Sequence, residues 1–304
     1  MSRHIAVLMG GWSAEREVSL VTGKAVVAAL KGDGHRVTPI DVGPDIFGVL
    51  SGLKPDVAFN ALHGRFGEDG CIQGMLEVLE IPYTHSGVLA SALAMDKPRA
   101  RRMFEAVSIP CPEGKVVHRD EVREGTVFDP PYVLKPTNEG SSVGVRLVFE
   151  GDNMPPLDDS NWAYGDHVLV ERYIPGREIQ VAVMDDEALG AIEIRPKKRF
   201  YDYETKYTDG WAEHIMPAEI PEADYQESLR LAELAHRTLG CRGVTRSDLR
   251  YDDTVNGQAR FYMLEVNTQP GMTPLSLVPE IAAHAGIPFS ELVRHLVQGA
   301  GCER

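Results

Sequence analysis

The chain has 304 residues, and 31 Lys and Arg against 45 Asp and Glu give a formal net charge of −14. That length predicts about two domains, or three small ones, and 43% hydrophobic with 25% charged residues is ordinary for a globular protein with its own core. The acid excess excludes a nucleic-acid partner, which needs Lys and Arg to displace counterions; no apolar run reaches the roughly 18 residues of a membrane span; and the apolar stretch at residues 5–9 is too short for a secretory signal. The expectation is therefore a cytoplasmic enzyme or small-molecule binder. The four cysteines, Cys71, Cys111, Cys241 and Cys302, are scattered without a CxxC pair, which argues against a disulfide framework and a structural zinc.

Residues 5–9 read as a buried strand broken by Gly10-Gly11. From Ala14, Val18, Val21, Ala25 and Ala28 or Ala29 recur at helical spacing. Residues 36–42 and 57–62 read as the second and third strands, and 72–79 as a helix. Strands alternating with helices predict βαβ units and a mostly parallel sheet. Ligands then sit beyond the carboxyl ends of the strands, where the polar segments 10–15 and 63–70 lie.

Asp96-Lys97-Pro98 opens a helix through Val107, with Pro well placed in the first turn. Residues 132–136, 143–148 and 167–171 read as short strands, the first two around a Gly/Ser loop, and 151–166 as a surface loop. Residues 179–184 and 188–194 flank an Asp-Asp-Glu turn and predict an antiparallel pair. Residues 197–214 are charged and aromatic with no period and read as a long loop, a length uncommon unless functional or disordered. A helix at 221–239 stops at Gly240, strands follow at 244–251 and 259–266 around a turn ending Asn256-Gly257, and two short helices close the chain, the last capped by Ser290.

Three segments carry chemistry. Arg246-Ser-Asp248 and Glu265-Val-Asn267 lie on the last two strands, and alternation places Arg246 with Asp248, and Glu265 with Asn267, on one face each. Paired as a hairpin, Asp248, Glu265 and Asn267 converge into a hard-oxygen set suited to Mg²⁺ with nucleotide phosphates; either strand alone reads better as a solvated charged face, and the two together, followed by residues 268–273, reverse that. Lys135 with the loop through Gly140, Ser141, Ser142 and Gly144 suits phosphate oxygens or forms a plain turn, and it does not match the Walker pattern. Glu171-Arg-Tyr-Ile-Pro-Gly176-Arg-Glu178 offers backbone for an adenine edge and an acid for ribose hydroxyls, or is a surface hairpin edge.

Taken in order, these segments resemble the ATP-grasp superfamily and, within it, the D-alanine–D-alanine ligase family. The matching stretches are residues 10–20 (Gly-Gly-Trp-Ser-Ala-Glu-Arg-Glu-Val-Ser-Leu), Asn60 to Gly64 with Gly67 to Gly70, Met95-Asp-Lys97, Val133 to Pro136 with Gly140 to Gly144, Tyr201 to Tyr207, Arg246 to Asp248, and Leu264 to Thr273 with Ser276 to Pro279. The resemblance spans nearly the whole chain. It implies an α/β and α+β architecture of three units: an N-terminal parallel α/β domain (1–96), a central ATP-grasp domain (97–178), and a C-terminal ATP-grasp domain (179–304) with the metal site and a closing lid at 197–214.

The implied reaction joins two D-alanines with ATP through an acyl-phosphate. By that resemblance Lys97, Lys135, Ser141, Ser142 and Lys206 would face ATP phosphates, and Glu171, Arg172, Ile174 and Glu178 would line the adenosine pocket. Asp248, Glu265 and Asn267 would carry two Mg²⁺ ions, with Mn²⁺ able to substitute. Glu15 would take the ammonium of the first D-alanine and His63 its carboxylate, with Ser141 and Tyr207 completing a triad with Glu15. Arg246 and the Gly271 N–H would stabilise the oxyanion, and Ser276 and Leu277 would bind the second D-alanine. Tyr207 implies an amine as second substrate, since relatives that make D-alanyl-D-lactate typically lack it. A homodimer making peptidoglycan precursors is implied too. The alternatives are a D-alanine–D-lactate or D-serine ligase of the same superfamily, a non-catalytic nucleotide-binding protein on the same fold, and a Rossmann-type oxidoreductase, which would need GxGxxG where the chain reads Met9-Gly-Gly-Trp-Ser-Ala14.

Overall fold

The computed structural model describes residues 2–123, 127–140, 143–152, 157–158, 160–196, 212–254 and 259–303. The chain begins with β1 (His4–Met9), α1 (Arg16–Gly32), β2 (Arg36–Asp41), α2 (Ile46–Leu53), β3 (Val57–Asn60) and α3 (Cys71–Val78). The three strands form the expected parallel sheet in the order β2-β1-β3. In β1, Ile5, Ala6, Val7 and Leu8 are wholly buried, as expected of a parallel strand covered on both faces. Ala6 and Leu8 pack with Ile46 and Leu50 of α2 and Ile72 and Leu76 of α3; Ile5 and Val7 pack with Val26 and Leu30 of α1.

The buried stripe of α1 differs from the one predicted. Val18, Ser19, Thr22, Gly23, Val26 and Leu30 are buried, whereas Val21 is exposed. The shift arises because two polar side chains face inward with partners. Ser19 Oγ donates to the Ala61 carbonyl (2.7 Å), and Thr22 Oγ1 meets His63 Nε2 (3.1 Å). A hydroxyl with a hydrogen bond costs little to bury, so an apolar count alone misplaces the stripe.

Next come α4 (Val88–Met95), α5 (Lys97–Ala106), β4 (Gly114–His118), α6 (Arg119–Arg123), β5 (Tyr132–Pro136), β6 (Arg146–Val148) and β7 (His167–Arg172). The Asp96 side chain accepts from the Arg99 N–H (3.0 Å) and caps α5. These four strands form an antiparallel sheet, β4-β7-β5-β6, packed on Trp162 and Leu157. The pattern did not announce α2, α4, α6 or β4, and β6 is shorter than its predicted run.

The last segment holds β8 (Arg177–Met184), β9 (Glu187–Pro196), β10 (Ala212–Ile215), α7 (Glu222–Leu239), β11 (Val244–Asp252), β12 (Arg260–Asn267), α8 (Leu277–His284) and α9 (Phe289–Gln298). Five strands form a second antiparallel sheet, β10-β9-β8-β11-β12. Asp185 (φ 50°) and Asp186 (φ 73°) make a two-residue turn between β8 and β9, one residue tighter than the Asp-Asp-Glu turn read from the sequence, because Glu187 already pairs with Met184. Residues 212–214, read as the end of a loop, lie in β10 and pair with β9. Ser290 does not cap α9, because Pro288 occupies the cap position and Ser290 lies inside the helix. One face of this sheet packs Ile179, Val181, Val183, Leu249 and Tyr251 against α5 and α7, with Phe104 and Leu231 at the centre. Helices α8 and α9 cross back to the first sheet, where Ile281, Leu292 and Leu296 join the cluster of Ile5 and Val7. Each such large apolar side chain contributes about 1.5–3 kcal/mol by leaving water, so the two ends of the chain are held together by a shared core.

Candidate active site

Strands β11 and β12 pair as the sequence suggested, with Asp248 opposite Glu265 and Arg246 opposite Asn267. Reaching that register requires a bulge between Asp248 and Leu249. Phe261 and Met263 point to the helix-covered face, and strict alternation would send Glu265 there with them. The bulge leaves Leu264 as an extra residue, so Val266 takes the helix-facing position and Glu265 turns to the other side.

On that side lies a cavity of about 630 Å³ between the two antiparallel sheets. Its lining includes Lys97, Lys135, Glu171, Arg172, Ile174, Glu178, Asp248 and Glu265, which is most of the predicted nucleotide and metal set. Lys97 Nζ lies 3.1 Å from Glu265 Oε2 and donates to the Glu139 carbonyl at 2.5 Å. Lys135 Nζ donates to Glu171 Oε2 (2.6 Å), and both side chains are almost wholly buried. Arg246 grips Asp248 through two bonds of 2.7 and 3.0 Å. Arg250 lies 3.2 Å from Glu178 and donates to the Ile174 and Gly176 carbonyls, fixing the strand connection at the far end of the cavity. Arg172 is held at 2.6 Å by Glu113 on the rim. Asn267 Oδ1 accepts the Gln269 N–H (2.8 Å) and so starts the turn that leaves β12.

Beyond the cavity, the loops after β1 and β3 meet. Glu15 is buried at the cap position of α1, yet its carboxylate makes no capping bond to the helix. It faces the loop after β3 instead. A Cβ on Gly64 (φ +70°) would stand 2.8 Å from Glu15 Oε2, so the backbone conformation favours glycine there and any side chain would displace the Glu15 carboxylate. Gly140 approaches from the other side, where an added Cβ would stand 3.4 Å from the same oxygen. The Lys135 loop thus runs from the cavity to Glu15. Burial pushes the neighbouring Glu139 carboxyl up in pKa against the pull of Lys97 and Arg65, and the Glu15 charge adds to the rise.

His63 is buried with both ring nitrogens engaged, Nδ1 with Glu68 Oε1 and Nε2 with Thr22 Oγ1, each at 3.1 Å. Burial pulls its pKa down, but the hydrogen bond and charge of Glu68, with Glu15 adding, leave it raised; Arg246 opposes. Burial also raises Glu68, against the pull of His63. The pair therefore keeps a proton to higher pH than an ordinary histidine. Because the folded-state pKa of His63 is raised, its protonation favours the fold below the ordinary histidine range, and that contribution fades as pH rises through the raised value. In Glu68→Gln the burial contribution prevails, and the His63 pKa is expected to fall below 6.5. An NMR titration of the imidazole checks this; an unchanged midpoint would show that Glu68 does not set the proton.

The turn after β12 completes the site. Ser276 Oγ accepts the Thr273 N–H (2.9 Å) and meets Thr273 Oγ1 (2.8 Å), at the cap of α8, where Leu277 is buried. Gly271 lies against it, since an added Cβ there would stand 2.8 Å from Ser276 Oγ. Ser141, Ser142, Lys206 and Tyr207, with residues 197–211 of the expected lid, lie outside the described residues. Sequence reasoning assigned nothing to Thr22, Asn60, Glu68, Glu139 or Gln269, all of which the structure brings to this region. The available signal was modest: a Glu five residues beyond His63 in a polar loop.

Comparison with known proteins identifies the family. A family model described as D-ala D-ala ligase C-terminus matches residues 103–298, and one described as D-ala D-ala ligase N-terminus matches 48–86. The chain is 56% identical over 305 residues to a D-alanine–D-alanine ligase of Parvibaculum lavamentivorans, covering 100% of this chain and 99% of that protein. A ligase of the same name from Methylorubrum populi is 56% identical over 307 residues, 100% of both. Among solved structures, the Bacillus anthracis D-alanine–D-alanine ligase complexed with ATP superposes with a TM-score of 0.82 at 31% identity, over 98% of this chain and 97% of that one. The VanG D-Ala:D-Ser ligase of Enterococcus faecalis gives 0.81 at 28% identity, over 98% and 99%. Matched from end to end at such identity, the chain belongs to the D-alanine–D-alanine ligase family.

Proposed function

We propose that this protein is an ATP-dependent ligase that forms D-alanyl-D-alanine for peptidoglycan precursors. The carrying observation is the pair of carboxylates, Asp248 and Glu265, set side by side on a cavity that Lys97 and Lys135 also line, in a chain alike over its whole length to ligases of that name. In this reading the γ-phosphoryl group passes from ATP to a carboxylate oxygen of the first D-alanine, releasing ADP. The amine of the second D-alanine, having lost its proton, attacks the carbonyl carbon; the C–N bond forms and the C–O bond to phosphate breaks. A carboxylate is a poor electrophile, so phosphorylation supplies its leaving group.

Lys97 and Lys135 hold phosphate oxygens, and Glu171, Arg172, Ile174 and Glu178 hold the adenosine end. Asp248, Glu265 and the Asn267 amide oxygen are hard donors that fit Mg²⁺, and family analogy gives two ions that Mn²⁺ can replace. Bound there, the metal neutralises charge on the moving phosphoryl group. Glu15 takes the first ammonium. Because both ring nitrogens of His63 are already bonded, His63 acts on the first carboxylate by its charge. Arg246 and the Gly271 N–H face the charge that develops on the carbonyl oxygen, and Ser276 and Leu277 face the second D-alanine. Ser141, Ser142, Lys206 and Tyr207 keep the roles that the family implies.

The three sheets support a division into 1–96, 97–178 and 179–304, apart from the first two residues of β8. A homodimer and a cytoplasmic location rest on the family alone. Among the described residues, no helix is long and apolar enough to cross a membrane.

The neighbouring reading is D-serine as second substrate, favoured by the likeness to VanG. Phosphate release and product mass, measured with D-alanine alone and with D-serine or D-lactate competing at several pH values, test both. D-Alanyl-D-alanine is the expected dominant product, with no turnover on L-alanine. No phosphate release above background would sink the ligase reading, and a dominant D-alanyl-D-serine product would favour the neighbour.

A further inference from the structure

The turn that leaves β12 is tied to the loop after β3 by a pair of buried amides. Asn60 and Gln269, 209 positions apart, are both essentially inaccessible to solvent. Asn60 Nδ2 donates to Gln269 Oε1 (2.6 Å) and to the Gly67 carbonyl (2.9 Å), while Asn60 Oδ1 accepts the Leu62 N–H (3.2 Å). Gln269 Nε2 in turn donates to the Leu62 carbonyl. The Gly67 carbonyl takes a second bond from Gln73 Nε2 (2.8 Å), anchoring the loop to α3. These partners fix the orientation of both amides. Turning Asn60 over would set its oxygen against the Gly67 carbonyl, and turning Gln269 over would set its oxygen against the Leu62 carbonyl. A weaker contact, Met272 N–H to Thr22 Oγ1 (3.4 Å), joins the same two regions.

The two loops serve different substrates in the proposed reaction. The 60–67 loop carries His63 and Gly64 beside Glu15, where the first D-alanine sits. The 267–273 turn carries Asn267 and Gly271 and leads to Ser276, where the second sits. We propose that Gln269 and Asn60 are positioning residues that set the distance between the two D-alanine half-sites, so that the acyl-phosphate made in one meets the amine held in the other. The inference rests on the ligase reading. A buried amide pair in which each nitrogen and oxygen has a partner is rigid, and errors of about 1 Å between reacting groups cost on the order of 100-fold in rate. An acyl-phosphate that waits for a misplaced amine is open to water, which returns D-alanine and phosphate without product.

The test is Gln269→Met, which keeps the chain length and removes both side-chain bonds, with Gln269→Asn as the milder variant. Phosphate and D-alanyl-D-alanine are counted in the same reaction, and ATP affinity is measured by calorimetry. For the wild type one phosphate per dipeptide is expected. For both variants the phosphate-to-dipeptide ratio is expected to rise above one and the KM for the second D-alanine to rise roughly 10-fold or more, with ATP affinity held within about twofold, since Gln269 does not line the nucleotide cavity. A purely structural role would lower Tm and leave the ratio at one. A ratio of one with wild-type KM in both variants overturns the proposal. If Gln269→Met fails to bind ATP, Gln269→Asn decides alone. An inactive wild type overturns the ligase reading and this inference with it, whereas normal variants of an active wild type overturn the inference only.

Discussion

Replacing Arg246 by alanine is expected to lower kcat by about 10²- to 10³-fold, the range seen when one donor to a developing oxyanion is removed. The side chain stands on β11 with Asn267 opposite, on the face that bears Asp248 and Glu265. Its guanidinium is held in one orientation by the two bonds to Asp248. A planar fork gripped in this way pays little entropy when charge appears on the carbonyl oxygen. The substitution does a second thing: it strips a buried carboxylate of its partner, which is costly in itself. Arg246→Lys separates the two effects. A lysine keeps a cation near Asp248 but cannot reproduce the fork, so Asp248 is satisfied and kcat recovers only in part. Single-turnover kinetics with ATP affinity measured alongside read the difference. Arg246→Ala retaining more than about a tenth of wild-type kcat would remove Arg246 from the reaction.

Glu265→Ala is expected to be at least as severe, about 10³-fold in kcat, because it removes a hard oxygen from the set that fits the metal, and metal stabilisation of transferring charge is worth several kcal/mol. It also releases Lys97, whose ammonium lies 3.1 Å from the Glu265 carboxylate. Lys97→Met isolates that second effect, since it keeps Glu265 and removes only the cation. Mn²⁺ binding followed by electron paramagnetic resonance in the presence of ATP gives a readout independent of turnover. Weakened Mn²⁺ binding is expected in Glu265→Ala and near-normal Mn²⁺ binding in Lys97→Met, with ATP affinity reduced in the latter. Equal Mn²⁺ affinity in wild type and Glu265→Ala would contradict the placement of the metal.

The same residues show how far the sequence could be read. The parallel sheet was legible because βαβ spacing leaves few topologies, and the β8–β9 hairpin because the polar run Asp185-Asp-Glu187 between two apolar runs marks a turn, although Glu187 itself belongs to β9. Asp248 and Glu265 were expected to converge, and they do. The bulge that makes this happen has no signature in composition: counted strictly from Phe261 and Met263, Glu265 falls on the wrong face. The true stripe of α1 was hidden because Ser19 and Thr22 look like solvent-facing positions until their partners, the Ala61 carbonyl and His63, are known. Helix α4 escaped because its apolar residues surround the axis and give no clean period, and α2 because its eight residues give barely two turns, with Phe47 and Val49 exposed beside buried Ile46 and Leu50. Long-range pairs such as His63 with Thr22, or Asn60 with Gln269, depend on which elements the fold brings together, and no local pattern encodes that.

The central claim is that the first D-alanine is activated as an acyl-phosphate. The most direct measurement supplies D-alanine labelled with ¹⁸O in both carboxylate oxygens, ATP and Mg²⁺, and follows the label by mass spectrometry. Each dipeptide formed is expected to be accompanied by one ADP and one inorganic phosphate carrying a single ¹⁸O, with the other oxygen of the reacting carboxylate retained in the peptide carbonyl. Unlabelled phosphate, or AMP and pyrophosphate as products, would contradict the claim.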